Sequence, residues 1–168
     1  MDIIIREEQQ HDIVAIEQVT QAAFKTVEYS NQTEHLIVNA LRERGKLLIS
    51  LVAVENNDVI GHIAISPVRL SSGDQGWYGL GPVSVRPSHQ RRGIGAKLIQ
   101  ESLHQLRQQD ASGCVLLGDP NYYAQFGFKV FSNLVLADVP AEYFQALSFD
   151  GTAPCAEVFY DGAFYVTN

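Results

Sequence analysis

Apolar residues recur along this chain in two patterns, one with the period of a helix and one with the composition of strands. Between residues 12 and 45 they fall at spacings of three and four, as on a helix with one buried face. Asp12 begins the first of two predicted helices; Thr33 begins the second, which Gly45 ends. The short apolar run DIIIR precedes both and predicts a first strand.

Three β-branched runs follow and predict strands. KLLISLVAVE and VIGHIAISPVRL flank NND, which is typical of an antiparallel hairpin, and WYGLGPVSV is the third run. A helix is predicted from Ile94 to about Gln109, and Gly113 opens the strand CVLLG, so this unit has the length of a right-handed parallel crossover. We therefore expect a mixed α/β fold with a mostly antiparallel sheet and helices on its faces.

The C-terminal third carries further local signals. Asp119 and Pro120 have the residue types of an N-cap and a first helical position, so they predict a short helix over NYYAQF that Gly127 ends. AEYFQAL is predicted to be helical. AEVFYDGAFYV is predicted to form a final strand pair, with Asp161 and Gly162 as its turn.

Composition narrows the class of protein. The 168 residues are expected to form one domain, residues 1–168, with an ordinary globular balance of 46% hydrophobic and 18% charged residues. The net charge of −7 argues against nucleic acid and anionic membranes as partners, and no run approaches the roughly 20 apolar residues of a membrane span. Cys114 and Cys155 form no disulfide scaffold, so we expect a cytoplasmic protein. The five histidines show no paired ligand spacing, so no metal is expected.

The stretch VRPSHQRRGIGAKLI joins a predicted strand to a predicted helix. A helix start leaves its first N–H groups without partners and carries a partial positive charge. Gly93 and Gly95 lack a Cβ and let a bulky anion approach the backbone, while Gln90, Arg91 and Arg92 add donors and charge. The alternative is a tight connection with solvated arginines.

Two known phosphate motifs do not fit this turn. A dinucleotide fingerprint needs a glycine where Leu98 stands, and a P-loop needs Lys and then Ser or Thr where Ala96 and Lys97 stand. QRRGIG instead resembles the Gln/Arg-x-x-Gly-x-Gly/Ala pattern of the GNAT family of N-acetyltransferases, and YYAQFGF resembles that family's Tyr-x-x-x-Gly-Phe segment. The order of elements agrees from the first strand to at least Phe128. The stretch GDPNYYAQFGF is most similar to the family's bacterial YhbS-type members.

The resemblance implies a GNAT-like fold in which the strands WYGLGPVSV and CVLLG splay apart to form a slot for acetyl-coenzyme A. Gly79, Gly81 and Pro82 suit such a distorted strand, although a plain edge strand is the alternative. The implied cofactor contacts are the backbone of Val83, Ser84 and Val85 for the pantetheine arm, and Gln90, Arg91, Arg92, Gly93, Ile94, Gly95 and Ala96 for the pyrophosphate.

Acetyl transfer to an amine needs an uncharged nucleophile, a stabilised oxyanion and a proton for the leaving thiolate. The resemblance implies Tyr123 as the acid, with the neighbouring Tyr122 as the alternative, and the amide of Val83 for the thioester carbonyl.

The general base stays open on the sequence. Three residues are candidates, and each has a structural alternative. His62 would be a packed strand residue, Glu28 a solvated loop carboxylate and Asp119 a helix cap.

The favoured function is an acetyl-coenzyme A dependent N-acetyltransferase in which a primary amine attacks directly in a ternary complex. A non-catalytic acyl-coenzyme A sensor would keep QRRGIG without depending on Tyr123, and an interaction domain would need neither. The acceptor, a small molecule or a peptide, is left open, and residues 26–34, the SSGDQGWY segment and the chain after Pro140 are expected to select it. A homodimer through C-terminal strands is a further expectation.

Overall fold

The computed structural model describes residues 2–167, and within them the chain forms nine strands and four α-helices. The strands are β1 Ile4–Glu7, β2 Ile49–Glu55, β3 Asp58–Pro67, β4 Arg69–Leu70, β5 Trp77–Val85, β6 Gly113–Leu117, β7 Leu134–Val135, β8 Phe144–Ser148 and β9 Ala156–Phe159. The helices are α1 Ile13–Phe24, α2 Glu34–Glu43, α3 Ile94–Gln108 and α4 Pro120–Tyr123.

Six strands form the main sheet in the order β1-β2-β3-β5-β6-β8, and β4, β9 and β7 form a small second sheet. Neighbours in the main sheet are antiparallel except β5 and β6, which are parallel and joined by the α3 crossover. The expectation of a mixed, mostly antiparallel sheet is confirmed.

Helices cover both faces of the main sheet. Ile63 and Ile65 of β3 pack with Leu98 of α3, whereas Ala64 between them packs with Ile16 of α1. Because adjacent strand residues point to opposite faces, α3 lies on one face and α1 on the other. Val115 of β6 packs with residues of β7, β8 and β9, while its neighbours in β6 pack with α3. The small sheet therefore shares with α1 the face opposite α3.

The strongest local signals are confirmed. The NND turn joins β2 to β3 with Asn56 and Asn57 both at positive φ, as a two-residue hairpin turn requires. Gly93 is the N-cap of α3 in the left-handed region, and Asp119 caps α4 by accepting a hydrogen bond from the Asn121 amide at 2.9 Å.

The helix predicted over AEYFQAL is wrong. Ala141–Tyr143 makes one 3-10 turn, and Phe144–Ser148 is the strand β8, antiparallel to β6. Phe144 and Ala146 are buried against residues of the small sheet. The otherwise open edge of β6 supplies backbone partners to this segment, and that tertiary pairing outweighs helix propensity.

The predicted final strand pair is also wrong. Only Ala156–Phe159 is a strand, and Asp161 caps a 3-10 turn at Gly162–Tyr165 by accepting from the Ala163 amide at 3.1 Å. The same carboxylate binds Arg44 at 2.7 Å, and Ala163 is buried against α2. These contacts fix the tail on α2 rather than fold it back along β9.

Candidate active site

The main sheet is open at its centre. β5 and β6 pair over three residues, from Trp77 opposite Gly113 to Gly79 opposite Val115, and no further pair joins them in residues 2–167. β5 then runs on to Val85 without β6 beside it. A gap with two strand walls results, closed at Gly79 and open at the start of α3.

The backbone of β5 presents hydrogen-bonding groups to this gap. The Arg86 amide donates to the Ile60 carbonyl at 2.8 Å, so Arg86 faces β3. Antiparallel residues alternate between the two edges of a strand. Ser84 therefore also turns its amide and carbonyl to β3, while Val83 and Val85 turn theirs into the gap.

A bulge gives β5 this orientation. The register with β3 shifts by one residue between Leu80 and Val83, so Gly81 and Pro82 together oppose only Ala64. Gly81 has φ +129°, a conformation that favours glycine. The distorted strand expected at Gly81 and Pro82 is confirmed.

Gly79 has a different reason for being glycine. A Cβ there would lie 2.6 Å from the ring of Tyr160, which packs directly onto the strand at the closed end of the gap. At the other wall, a Cβ on Gly118 would overlap the ring of Tyr123. Each of these two glycines admits an aromatic ring to the backbone at one end of the gap.

The start of α3 lies at the open end of the gap. The Lys97 amide donates to the Gly93 carbonyl at 3.1 Å, and no side chain within the described residues caps the helix. The amides of Ile94, Gly95 and Ala96 thus precede the first intrahelical bond and carry the positive end of the helix dipole. An anion at this point would meet three N–H donors.

The other residues predicted to contact phosphate lie in the loop before α3 and differ in whether their side chains are already bonded. Gln90 donates to the Val85 carbonyl at 3.0 Å, which ties the loop back to its own strand. Arg92 donates to Glu55 at 3.2 Å. Arg91 is exposed in the left-handed region at φ +65° and makes no ion pair among residues 2–167. Arg91 is therefore the more available of the two cations.

The two tyrosines of α4 occupy different positions. The Tyr122 hydroxyl would lie 3.7 Å from a Cβ on Gly95, beside the start of α3. Tyr123 packs on Gly118 and edge-on against Phe128 at 6.1 Å between ring centroids. Burial raises the pKa of Tyr123 to about 12, with smaller contributions from nearby groups that include Tyr29 of the α1–α2 loop. Burial also raises the pKa of Tyr122, so both phenols are protonated at neutral pH.

The three candidate bases lie on three different parts of the fold. The carboxylate of Asp119 accepts a hydrogen bond as the cap of α4, and Glu28 is exposed on the α1–α2 loop. His62 is fully buried on β3, where Ser50 lies beside it. Within residues 2–167, no hydrogen bond or ion pair joins any two of these three residues.

His62 belongs to a buried hydrogen-bond chain. Ser50 donates its hydroxyl hydrogen to Glu8, which Arg42 binds through two nitrogens at 2.8 and 2.9 Å. Because that hydrogen is spent, the Nε2 of His62 must donate to the Ser50 oxygen at 2.8 Å. Burial lowers the pKa of His62 to about 4, so the imidazole is neutral at pH 7 and its Nδ1 is bare, and the described part of the chain supplies this atom with no partner.

We predict that His62 makes the fold acid-sensitive. Desolvation lowers the pKa of His62 from 6.5 to about 4, a shift that the Glu8 charge opposes and the Arg42 charge reinforces. The unfolded chain therefore binds a proton that the folded chain excludes, and stability present above pH 6.5 is lost as the pH falls towards 4. We expect the free energy of unfolding to drop by about 2 kcal/mol between pH 7 and pH 5, measured by urea titration.

His62→Gln should flatten this pH dependence of the free energy of unfolding. His104→Gln, on the exposed face of α3, is the matched control and should leave it unchanged. Parallel pH curves for the wild type and His62→Gln would contradict the assignment.

Two residues at this site carry no sequence motif. Glu55 ends β2 yet contacts His89 and Arg92 in the loop before α3. Tyr160, whose ring packs on Gly79, lies 81 positions further along the chain. The one sequence signal for this contact was the glycine itself, since a glycine within a strand can mark the close approach of another group.

Among residues 2–167, no three His, Cys, Asp or Glu side chains are grouped as metal ligands. Within the same residues, no helix combines the length and apolar character needed to cross a bilayer.

Comparison with known proteins gives consistent matches. The profile of the Acetyltransferase (GNAT) family matches residues 13–128. The uncharacterized N-acetyltransferase YhbS of Escherichia coli K12 is 35% identical over 103 residues, which are 61% of this chain. That match spans 62% of the relative's length, less than two thirds of it.

Two crystal structures are similar over nearly their whole length. A GNAT family acetyltransferase from Brucella melitensis, in complex with acetyl-CoA, has a TM-score of 0.88 and 51% identity, covering 97% of this chain and 98% of that one. Escherichia coli YhbS, in complex with CoA, has a TM-score of 0.87 and 28% identity, covering 99% of this chain and 93% of that one.

Proposed function

The chain belongs to the acetyltransferase (GNAT) family, and from that membership we propose that it transfers the acetyl group of acetyl-coenzyme A to a primary amine. The observation that carries the proposal is the gap between β5 and β6, which leads from an unpaired strand edge to an uncapped helix start. The complexes of the two crystallised relatives with acetyl-CoA and CoA support it.

In this proposal the cofactor uses the backbone more than side chains. The pyrophosphate lies against the amides of Ile94, Gly95 and Ala96, where the helix dipole favours an anion. The pantetheine arm runs along β5 as an added strand and bonds to Val83 and Val85. The Gln90 contact with the Val85 carbonyl leaves the two amides and the Val83 carbonyl for this pairing. Ser84 makes no bond to the arm in this proposal, because its amide and carbonyl are directed to β3.

The proposed reaction is direct attack within a ternary complex. A lysine-like amine has a pKa near 10.4, so about 4 to 5 kcal/mol is needed to deprotonate it at pH 7, and water in the open gap receives that proton. The amine nitrogen then bonds to the thioester carbon, and the Val83 amide stabilises the oxyanion. The C–S bond breaks, and the second amine proton passes through solvent to the coenzyme A sulfur, so that amide and thiol are the products.

Tyr123 is proposed to stabilise the leaving sulfur. With its pKa at about 12, the phenol holds its proton more tightly than a thiol whose pKa is near 8.5. Complete transfer to the thiolate is therefore uphill, and the useful role of the hydroxyl is a hydrogen bond that strengthens as charge develops on sulfur.

The test begins with calorimetric titration of acetyl-coenzyme A and coenzyme A into the full-length protein. We expect micromolar binding of both and amine-dependent thiol release, measured with a disulfide dye, against a panel of small amines and peptides. Binding without thiol release for every amine would favour an acyl-coenzyme A sensor. A folded protein that binds neither cofactor would overturn the proposal.

A further inference from the structure

One carboxylate joins the β2–β3 hairpin to the loop before α3. Glu55 is the last residue of β2, and its side chain is only 9% exposed. It accepts from the His89 Nε2 at 3.1 Å and from an Arg92 Nη2 at 3.2 Å. These partners stand 34 and 37 positions further along the chain, so the contact is made by the fold rather than by local sequence.

Both partners are held in a defined orientation. The other ring nitrogen of His89, Nδ1, lies 2.8 Å from the Ser88 hydroxyl, so both imidazole nitrogens are engaged. Arg92 reaches Glu55 through one nitrogen only, and its side chain is 45% exposed. The remaining nitrogens of the guanidinium keep their hydrogens for a second acceptor.

Glu55 carries its negative charge at neutral pH. Burial raises its pKa, but the hydrogen bonds and charges of His89 and Arg92 outweigh burial, and the net pKa lies below its usual value. A buried carboxylate that stays ionised requires its partners to remain in place. The contact therefore restrains the loop on both sides of Arg91, whose left-handed backbone turns the chain towards Gly93 and α3.

We propose that Glu55 is a positioning residue for the cofactor's phosphate groups, which orients the Arg92 guanidinium and fixes the loop that delivers the α3 amides. It touches no reacting atom. This inference rests on the proposed function, because it names what orders the pyrophosphate site. Arg91, which has no such restraint, supplies charge directly, whereas Arg92 supplies charge in a geometry set by Glu55.

The experiment is a double-mutant cycle on the full chain, with calorimetric Kd for coenzyme A as the readout. Glu55→Ala is expected to weaken binding about tenfold, and Arg92→Ala to weaken it similarly. The double variant should lose less affinity than the two single losses combined, because part of the effect of Glu55 is exerted through Arg92. Glu55→Gln, which keeps an acceptor without the charge, should fall between the wild type and Glu55→Ala.

Two readouts separate positioning from a general structural role. At saturating acetyl-coenzyme A, kcat of Glu55→Ala should stay within about twofold of the wild type, so that the defect lies in KM. Glu101→Ala is the matched control, because this carboxylate bonds to Gln105 on α3, away from the loop, and its removal should leave Kd unchanged.

Amide hydrogen exchange over residues 88–95 tests the restraint without cofactor. Faster exchange in Glu55→Ala than in the wild type supports it, and equal exchange overturns it. Unchanged or tighter coenzyme A binding by Glu55→Ala, or fully additive losses in the cycle, also overturns the inference. If the wild type does not bind coenzyme A, the proposed function fails, and the exchange result alone then decides whether Glu55 orders the loop.

Discussion

Replacing Gly95 by glutamate is expected to abolish coenzyme A binding while leaving the fold intact. Gly95 is the second residue of α3, and its amide is one of the three that precede the first helical bond. A carboxylate there would meet the pyrophosphate, and such a like-charge contact costs several kcal/mol. At 1.4 kcal/mol for each factor of ten, Kd should rise about a hundredfold or more.

The fold should tolerate this change. The nearest atoms to a Cβ on Gly95 are 3.7 and 3.8 Å away, which is ordinary contact, and an acidic residue in the first turn suits the helix dipole. Gly93 is a poorer choice because its φ of +77° strains any larger residue. Gly95→Gln is the matched control, since it adds the same bulk without charge and should lose much less affinity. Normal binding by a folded Gly95→Glu variant would exclude the start of α3 as the phosphate site.

Removing the hydroxyl of Tyr123 is expected to lower kcat about a hundredfold with little change in KM for acetyl-coenzyme A. Tyr123→Phe keeps the ring that packs on Gly118 and Phe128, so it removes the proposed hydrogen bond to sulfur without changing the packing. Because the pKa of Tyr123 is about 12, the ratio of wild-type to variant rates should be the same at pH 7 and pH 9.

Tyr122→Phe is the matched control for this prediction. Its hydroxyl lies beside Gly95, at the α3 end of the gap, and we expect kcat to change by less than about threefold. A large loss in Tyr122→Phe with normal activity in Tyr123→Phe would exchange the two roles. Normal turnover by both variants would remove a tyrosine from the mechanism.

The elements that the sequence predicted correctly are those with local signals. The β2–β3 hairpin is set by two turn residues that accept positive φ, and α3 is set by its apolar spacing after a left-handed glycine. The gap was predicted differently, through the resemblance of QRRGIG and YYAQFGF to a family, and pattern alone did not require it. Its strand bulge at Gly81 has a local sequence cause, but the position of β6 beside it does not.

The elements predicted wrongly depend on partners far along the chain. β8 is a strand because β6 offers it an edge. The chain after β9 turns onto α2, where Arg44, 117 positions earlier, binds the carboxylate of Asp161. The role of Glu55 was not predicted for the same reason, because no residue near it in the sequence indicates its contact with His89. No window of neighbouring residues contains these contacts, so sequence pattern could not have revealed them.

The three-residue join between β5 and β6 has a consequence for how a ligand enters. The main sheet behaves as two blocks, β1-β2-β3-β5 and β6-β8, connected by the short seam from Trp77 to Gly79. In the proposed complex an extended molecule beside Val83 and Val85 enters without breaking a bond between strands, because β5 and β6 are unpaired there. In the proposed complex the cofactor would add hydrogen bonds to β5 without replacing any bond between β5 and β6.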